Sequence, residues 1–119
     1  MRAEEALQRS VTTYLEWCLP ETFRWTASLT GVNLNRQARG RAKAAGVRRG
    51  WPDLAFLFPD GVTRYIELKA VHGSLSLDQR AFRDAATPHD IWALCRSVED
   101  VAERLLKWGA PLRGWPGRA

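Results

Sequence analysis

The sequence predicts an α/β fold in which a small mixed β-sheet is flanked by helices. Three observations predict it. A chain of 119 residues, 45% hydrophobic and with six tryptophans, suffices for one core and not for two. The apolar spacing switches repeatedly between helical and strand-like, in the order α-β-(α)-β-β-α-β-α, which puts helices on both sides of a sheet. Two runs rich in β-branched and aromatic residues, 51–58 and 62–69, flank Pro59-Asp60-Gly61 and read as a β-hairpin.

The elements follow in order. Ala3 to Leu19 has Leu7, Val11, Leu15 and Cys18 at helical spacing, and Pro20 ends the run. At roughly 100° per residue, Glu4 falls near Val11 and points inward, whereas Glu5 lies on the opposite side with Thr12 and Glu16. Glu4 at the first turn also has a plain reading, as an anion favoured by the helix dipole. Phe23 to Thr30 reads as a strand ended by Gly31. Asn33 to Ala45 reads as a short basic helix interrupted by Gly40 and closed by Gly46. After the hairpin, Ser76-x-x-Gln79 fits a capping box that opens a helix through Thr87, where Pro88 breaks it. Ile91 to Cys95 is apolar on both faces and reads as a buried central strand. Ser97 caps a last helix, Val98 to Trp108, with Glu99 and Asp100 in its first turn and Gly109 past its end. Residues 1–109 form the domain, and 110–119 make a Pro/Gly-rich tail without a regular element.

The hairpin carries the chemistry. Folded about Asp60, it sets positions summing to about 120 opposite each other, so Asp53 faces Glu67. Strand alternation puts Glu67 and Lys69 on one face. Two carboxylates and an ammonium at the margin of a core are costly unless compensated. A divalent cation compensates them naturally, since Mg²⁺ takes oxygen ligands and one or two carboxylates, leaving room for water and phosphate. The plain alternative is the solvated face of an edge strand.

Further blocks add to this. Pro52-Asp53, then Glu67-Leu68-Lys69, resembles the PD-(D/E)XK nuclease motif. Together with Val47-Arg48-Arg49-Gly50-Trp51, Gly73-Ser74-Leu75-Ser76 with Gln79-Arg80, and Cys95-Arg96-Ser97-Val98-Glu99-Asp100, it is similar to the VRR-NUC family, over roughly Glu4 to Leu105. That resemblance implies a restriction-endonuclease-like core and a metal-dependent endonuclease acting on branched DNA, such as four-way junctions. It implies Mg²⁺ or Mn²⁺ held by Asp53, Glu67, the main-chain carbonyl of Leu68 and a helix-borne glutamate, here Glu4. Lys69 and Gln79 would complete the catalytic set, and Arg80 would contact phosphate. Gln79 thus has two jobs open to it, cap and active site. A non-catalytic or RNA-directed binding module on the same fold is the rival reading.

Charge points the same way. Between Thr22 and Pro52 there is no acid, but Arg24, Arg36, Arg39, Arg41, Lys43, Arg48 and Arg49 give seven positive charges, and the remainder of the chain is slightly acidic. Such a local excess attracts polyanions, of which the phosphate backbone is the commonest. Arg48 and Arg49 lead directly into the hairpin, where guanidiniums could clamp phosphates.

No apolar run reaches the ~18 residues that span a bilayer, and Glu4 and Glu5 stand where a signal peptide would be apolar. A cytoplasmic protein is expected. Cys18 and Cys95 lie in apolar stretches and read as core; His72 and His89 read as loop residues. A homodimer is expected from the resemblance to junction resolvases, with Trp108 and Trp115 at the contact; the alternative is a monomer with its tail packed on itself.

Overall fold

Alternating apolar side chains around the Pro59-Asp60-Gly61 turn build the centre of the sheet. A computed structural model describes residues 2–28 and 34–117. Strands β2 (Leu54–Leu57) and β3 (Thr63–Leu68) pair antiparallel, Leu54 with Ile66 and Leu57 with Thr63, the register that the turn predicts. Gly61 takes φ +82°, a conformation that favours glycine, and Asp60 Oδ1 accepts the Val62 N–H at 2.9 Å. Arg64 closes the turn with an ion pair to Asp60 at 3.0 Å.

Two further strands complete the sheet in the order β1-β2-β3-β4. Strand β1 (Arg24–Ala27) is antiparallel to β2, and β4 (Trp92–Cys95) is parallel to β3. Here the sequence expectation fails in one respect: β4 is an edge strand, not a central one. Its alternate residues Ala93 and Cys95 are buried, and Trp92 and Leu94 are half-buried, so its faces are covered while its outer edge carries no partner strand among the described residues.

Helices α1 (Ala3–Cys18), α2 (Arg36–Ala44), α3 (Leu77–Ala86) and α4 (Val98–Trp108) fill in the predicted order. Val11, Leu15 and Cys18 of α1 and Val101, Ala102 and Leu105 of α4 pack with Leu54, Phe56, Ile66 and Leu68 in one cluster. Leu15, Leu54, Phe56, Ile66 and Leu105 are wholly inaccessible; each contributes about 1.5–3 kcal/mol. Strand residues of the other parity face α3, whose Phe82 meets Tyr65 with ring centroids 5.1 Å apart. The capping box at Ser76 forms as expected, and a 3₁₀ turn (Thr87–His89) follows the helix.

Several bounds differ from the sequence reading. Helix α2 runs through Gly40 without interruption, because the exposed glycine removes no packing there; Gly46 closes the segment at φ +103°. The predicted positions Leu29 to Asn33 lie outside the described residues. Residues 110–117 form no helix or strand, yet they are part of the packing. Tyr14 Oη donates to the Gly114 carbonyl at 2.7 Å, and the Arg113 N–H donates to the Cys18 carbonyl at 2.8 Å. Trp108 and Trp115, expected at a contact between copies, are partly buried against the chain's own core. Cys18 and Cys95 are buried as expected, and His72 and His89 are exposed. No helix among the described residues is long and apolar enough to cross a membrane.

Candidate active site

Beyond Leu54 the hairpin stops exchanging ladder bonds, and its side chains take over. Asp53 Oδ2 accepts the Leu68 N–H at 2.7 Å, which ties the start of one strand to the end of the other. This bond substitutes a carboxylate for the missing backbone acceptor and fixes Asp53 beside Glu67. In a strand the carbonyl of a residue leaves the same edge as its amide, so the Leu68 carbonyl is on the Asp53 side.

Glu67 is 2% exposed, more buried than Lys69, the other buried charged residue among those described. Its partner is Gln79 of α3, whose Nε2 donates to Glu67 Oε2 at 3.1 Å. The other end of the same amide serves the capping box: Gln79 Oε1 accepts the Ser76 N–H at 2.9 Å. One amide thus caps the helix and contacts Glu67 at once. Burial above all, then a hydrogen bond and repulsion from Asp53, push the Glu67 carboxyl up to about 9; Lys69 opposes this and Glu4 adds to it.

Lys69 is 9% exposed and sits one residue past β3. Its Nζ lies 3.4 Å from Glu4 Oε1. Glu4 thus reaches the site as the helical phase predicted, while Glu5 pairs along the helix surface with Arg9. Glu4 is half-exposed, meets the Lys69 ammonium, and stands close enough to Glu67 to add to the rise in its carboxyl. Among the described residues no three His, Cys, Asp or Glu side chains converge as a metal-binding group.

The donors that do converge fit one divalent ion. Two carboxyls side by side repel each other when both are ionised, and a cation between them would relieve that repulsion. Mg²⁺ and Mn²⁺ accept such oxygen sets with only one or two protein carboxylates. Asp53, Glu67 and the Leu68 carbonyl are the groups that could hold such an ion.

Next to this pair the chain folds a loop that sequence reasoning credited with no structural role. Arg96, just after β4, donates from one Nη1 to the carbonyls of Ala70 at 2.7 Å and Gly73 at 2.9 Å, with Val71 at 3.3 Å. The segment leaving Lys69 is thereby fastened to β4. Three carbonyls around one guanidinium nitrogen require a turn whose shape no local spacing announces.

The basic stretch forms a groove of about 1260 Å³ lined by Arg36, Arg39, Lys43, Arg48 and Arg49, with no acidic residue on its walls. Positions 36, 39 and 43 recur at helical spacing, so one face of α2 supplies three of these cations. Arg41 does not line the groove, and Arg80 is an exposed residue of α3 next to Gln79. Gly50 returns the chain from the groove to the hairpin at φ +83°, pressed so closely on α3 that a Cβ there would meet the Asp78 backbone at 2.6 Å.

Compared with family models, with curated proteins and with solved structures, the chain matches none.

Proposed function

We propose that this protein is an Mg²⁺- or Mn²⁺-dependent endodeoxyribonuclease of the VRR-NUC kind, acting in the cytoplasm on branched DNA such as four-way junctions. The observation that supports the reading is the buried Glu67 carboxyl, set beside Asp53, held by Gln79 and two positions before Lys69 along the chain.

Asp53, Glu67 and the Leu68 carbonyl would hold the ion, which when bound supplies a Lewis acid for the scissile phosphate and a more acidic water. The protein's own groups do the rest. Asp53 is oriented by the Leu68 amide, and Glu67 by Gln79, so neither has to reorganise when substrate arrives. Lys69, steadied by Glu4, carries positive charge to the attacking water or to the developing charge on phosphorus. The groove arginines and Lys43 bind flanking phosphates, and Arg48 and Arg49 do so nearest to Asp53. A homodimer, which would give the two incisions a junction requires, remains part of the proposal on symmetry alone; sedimentation showing only a 13.5 kDa species would remove it.

One observation favours a second reading. Because Glu4 is engaged by Lys69, the cluster could close the end of the sheet in a non-catalytic module that binds DNA or RNA. A panel of labelled linear, nicked, flapped, splayed and four-way DNA, with a matching RNA, in Mg²⁺, Mn²⁺ or EDTA separates the two. The expected outcome is divalent-dependent cleavage of branched DNA, lost by orders of magnitude in Glu67→Ala. Glu4→Ala should lower it sharply and Glu5→Ala hardly at all. Tight binding without cleavage under every condition would leave the binding module.

A further inference from the structure

Trp51 stands between the basic groove and the carboxyl pair. It follows Arg48, Arg49 and Gly50, and it precedes Asp53 by two residues, a span of at most about 7 Å along the chain. Large aromatic residues at such a position usually disappear into a core, but Trp51 is 46% exposed. It is nevertheless held firmly. Its ring meets Phe82 at 4.9 Å and Tyr65 at 5.9 Å, both edge-on, and those two rings meet each other. Gly50 behind it is wedged against Asp78. The result is a fixed indole with accessible surface, joined along the chain to the groove cations Arg48 and Arg49 on one side and to Asp53 on the other.

A cationic track beside an anchored aromatic ring is the arrangement by which proteins take single strands: cations follow the phosphates, and rings receive the bases. Continuous duplex has no use for the ring, because its bases are stacked on one another and turned away from the backbone side. An unpaired nucleotide does. We infer that Trp51 stacks on an unpaired base next to the bond to be cut, so that the substrate class is single-stranded or locally unpaired DNA rather than continuous duplex. The inference rests on the nucleic-acid reading of the site given above and narrows it, from fully paired four-way junctions to branched DNA with unpaired bases such as flaps and splayed arms.

The test is binding, without metal, so that it does not depend on catalysis. Fluorescence anisotropy in EDTA would compare wild type, Trp51→Leu and Trp51→Phe on labelled oligothymidylate of about 12 nucleotides, a length such a track can cover, and on a duplex of the same length. Leucine preserves apolar packing on Tyr65 and Phe82 without a π-face, and phenylalanine keeps the π-face; thermal melts check that both variants fold. The expected result is about a tenfold loss of oligothymidylate affinity in Trp51→Leu, most of it retained in Trp51→Phe, with duplex affinity changed by less than about twofold. Equal affinity of all three proteins for the single strand would overturn the inference, as would a parallel loss on single strand and duplex. If the expected pattern appears and yet no metal supports cleavage, the nuclease reading fails and this one stands. If neither nucleic acid binds at all, both fall.

Discussion

Gln79 joins the stability of a helix to the chemistry of a site within one side chain, its oxygen on the Ser76 amide and its nitrogen on Glu67. The capping role was legible because Ser-x-x-Gln spacing is local. The bond to Glu67 was not, because it depends on how α3 lies across the sheet. Asp53 and Glu67 were legible together for the opposite reason: a short turn fixes register, and register fixes which residues face each other. The buried carboxyl has a consequence for stability. Glu67 titrates near 4.5 when unfolded and at about 9 when folded, so between these values the folded chain binds more protons than the unfolded one. Stability therefore falls as pH rises through that window. Glu67→Gln, which keeps the shape without the titration, should gain on wild type from pH 5 to pH 9 in EDTA. Urea midpoints at several pH values check this, and parallel curves would contradict it.

At the scale of the element, the loop 48–51 shows how a backbone conformation can be required from both sides. Gly50 needs φ +83°, and it also leaves no room for a Cβ against Asp78. Gly50→Ala should thus cost about 1–3 kcal/mol, measured by chemical denaturation; Gly46→Ala, with a similar φ but open space around it, should cost less. The position of β4 carries the opposite lesson. Its residues are apolar on both faces, and that pattern was read as a central strand. Side-chain burial reports which faces are covered, by helices as readily as by anything else, and says nothing of lateral neighbours. Edge or centre is decided by sheet order, which the sequence pattern does not contain.

Over the whole molecule, charge and core are separated. Helix α2 has no buried residue, so the basic groove is an addition to the fold rather than part of its support. Changing Arg36, Arg39, Lys43, Arg48 and Arg49 to Gln should leave the melting temperature almost unmoved. The dependence of single-strand affinity on salt should become shallower, by up to about 3.5 in the log–log slope if every cation meets a phosphate. Titrations at several salt concentrations measure it, and an unchanged slope would assign the phosphate contacts elsewhere. The tail behaves in the reverse manner. Its composition announced no regular element, and none forms, yet Ala110 is buried, and Leu112 and Trp115 lean on the core. Pro and Gly content describes the conformation of a segment and not whether it is packed. Arg96, finally, orders the site in time as well as space. The carbonyls it gathers belong to residues 70–73, but the guanidinium itself arrives only after α3 has been crossed and β4 has joined β3 in parallel. A parallel pairing of that span closes late. A nascent or partly unfolded chain can therefore own a finished hairpin, with Asp53 opposite Glu67, while the segment beyond Lys69 is still unfastened. The segment that leaves Lys69 is thus fastened only in molecules whose sheet is already whole.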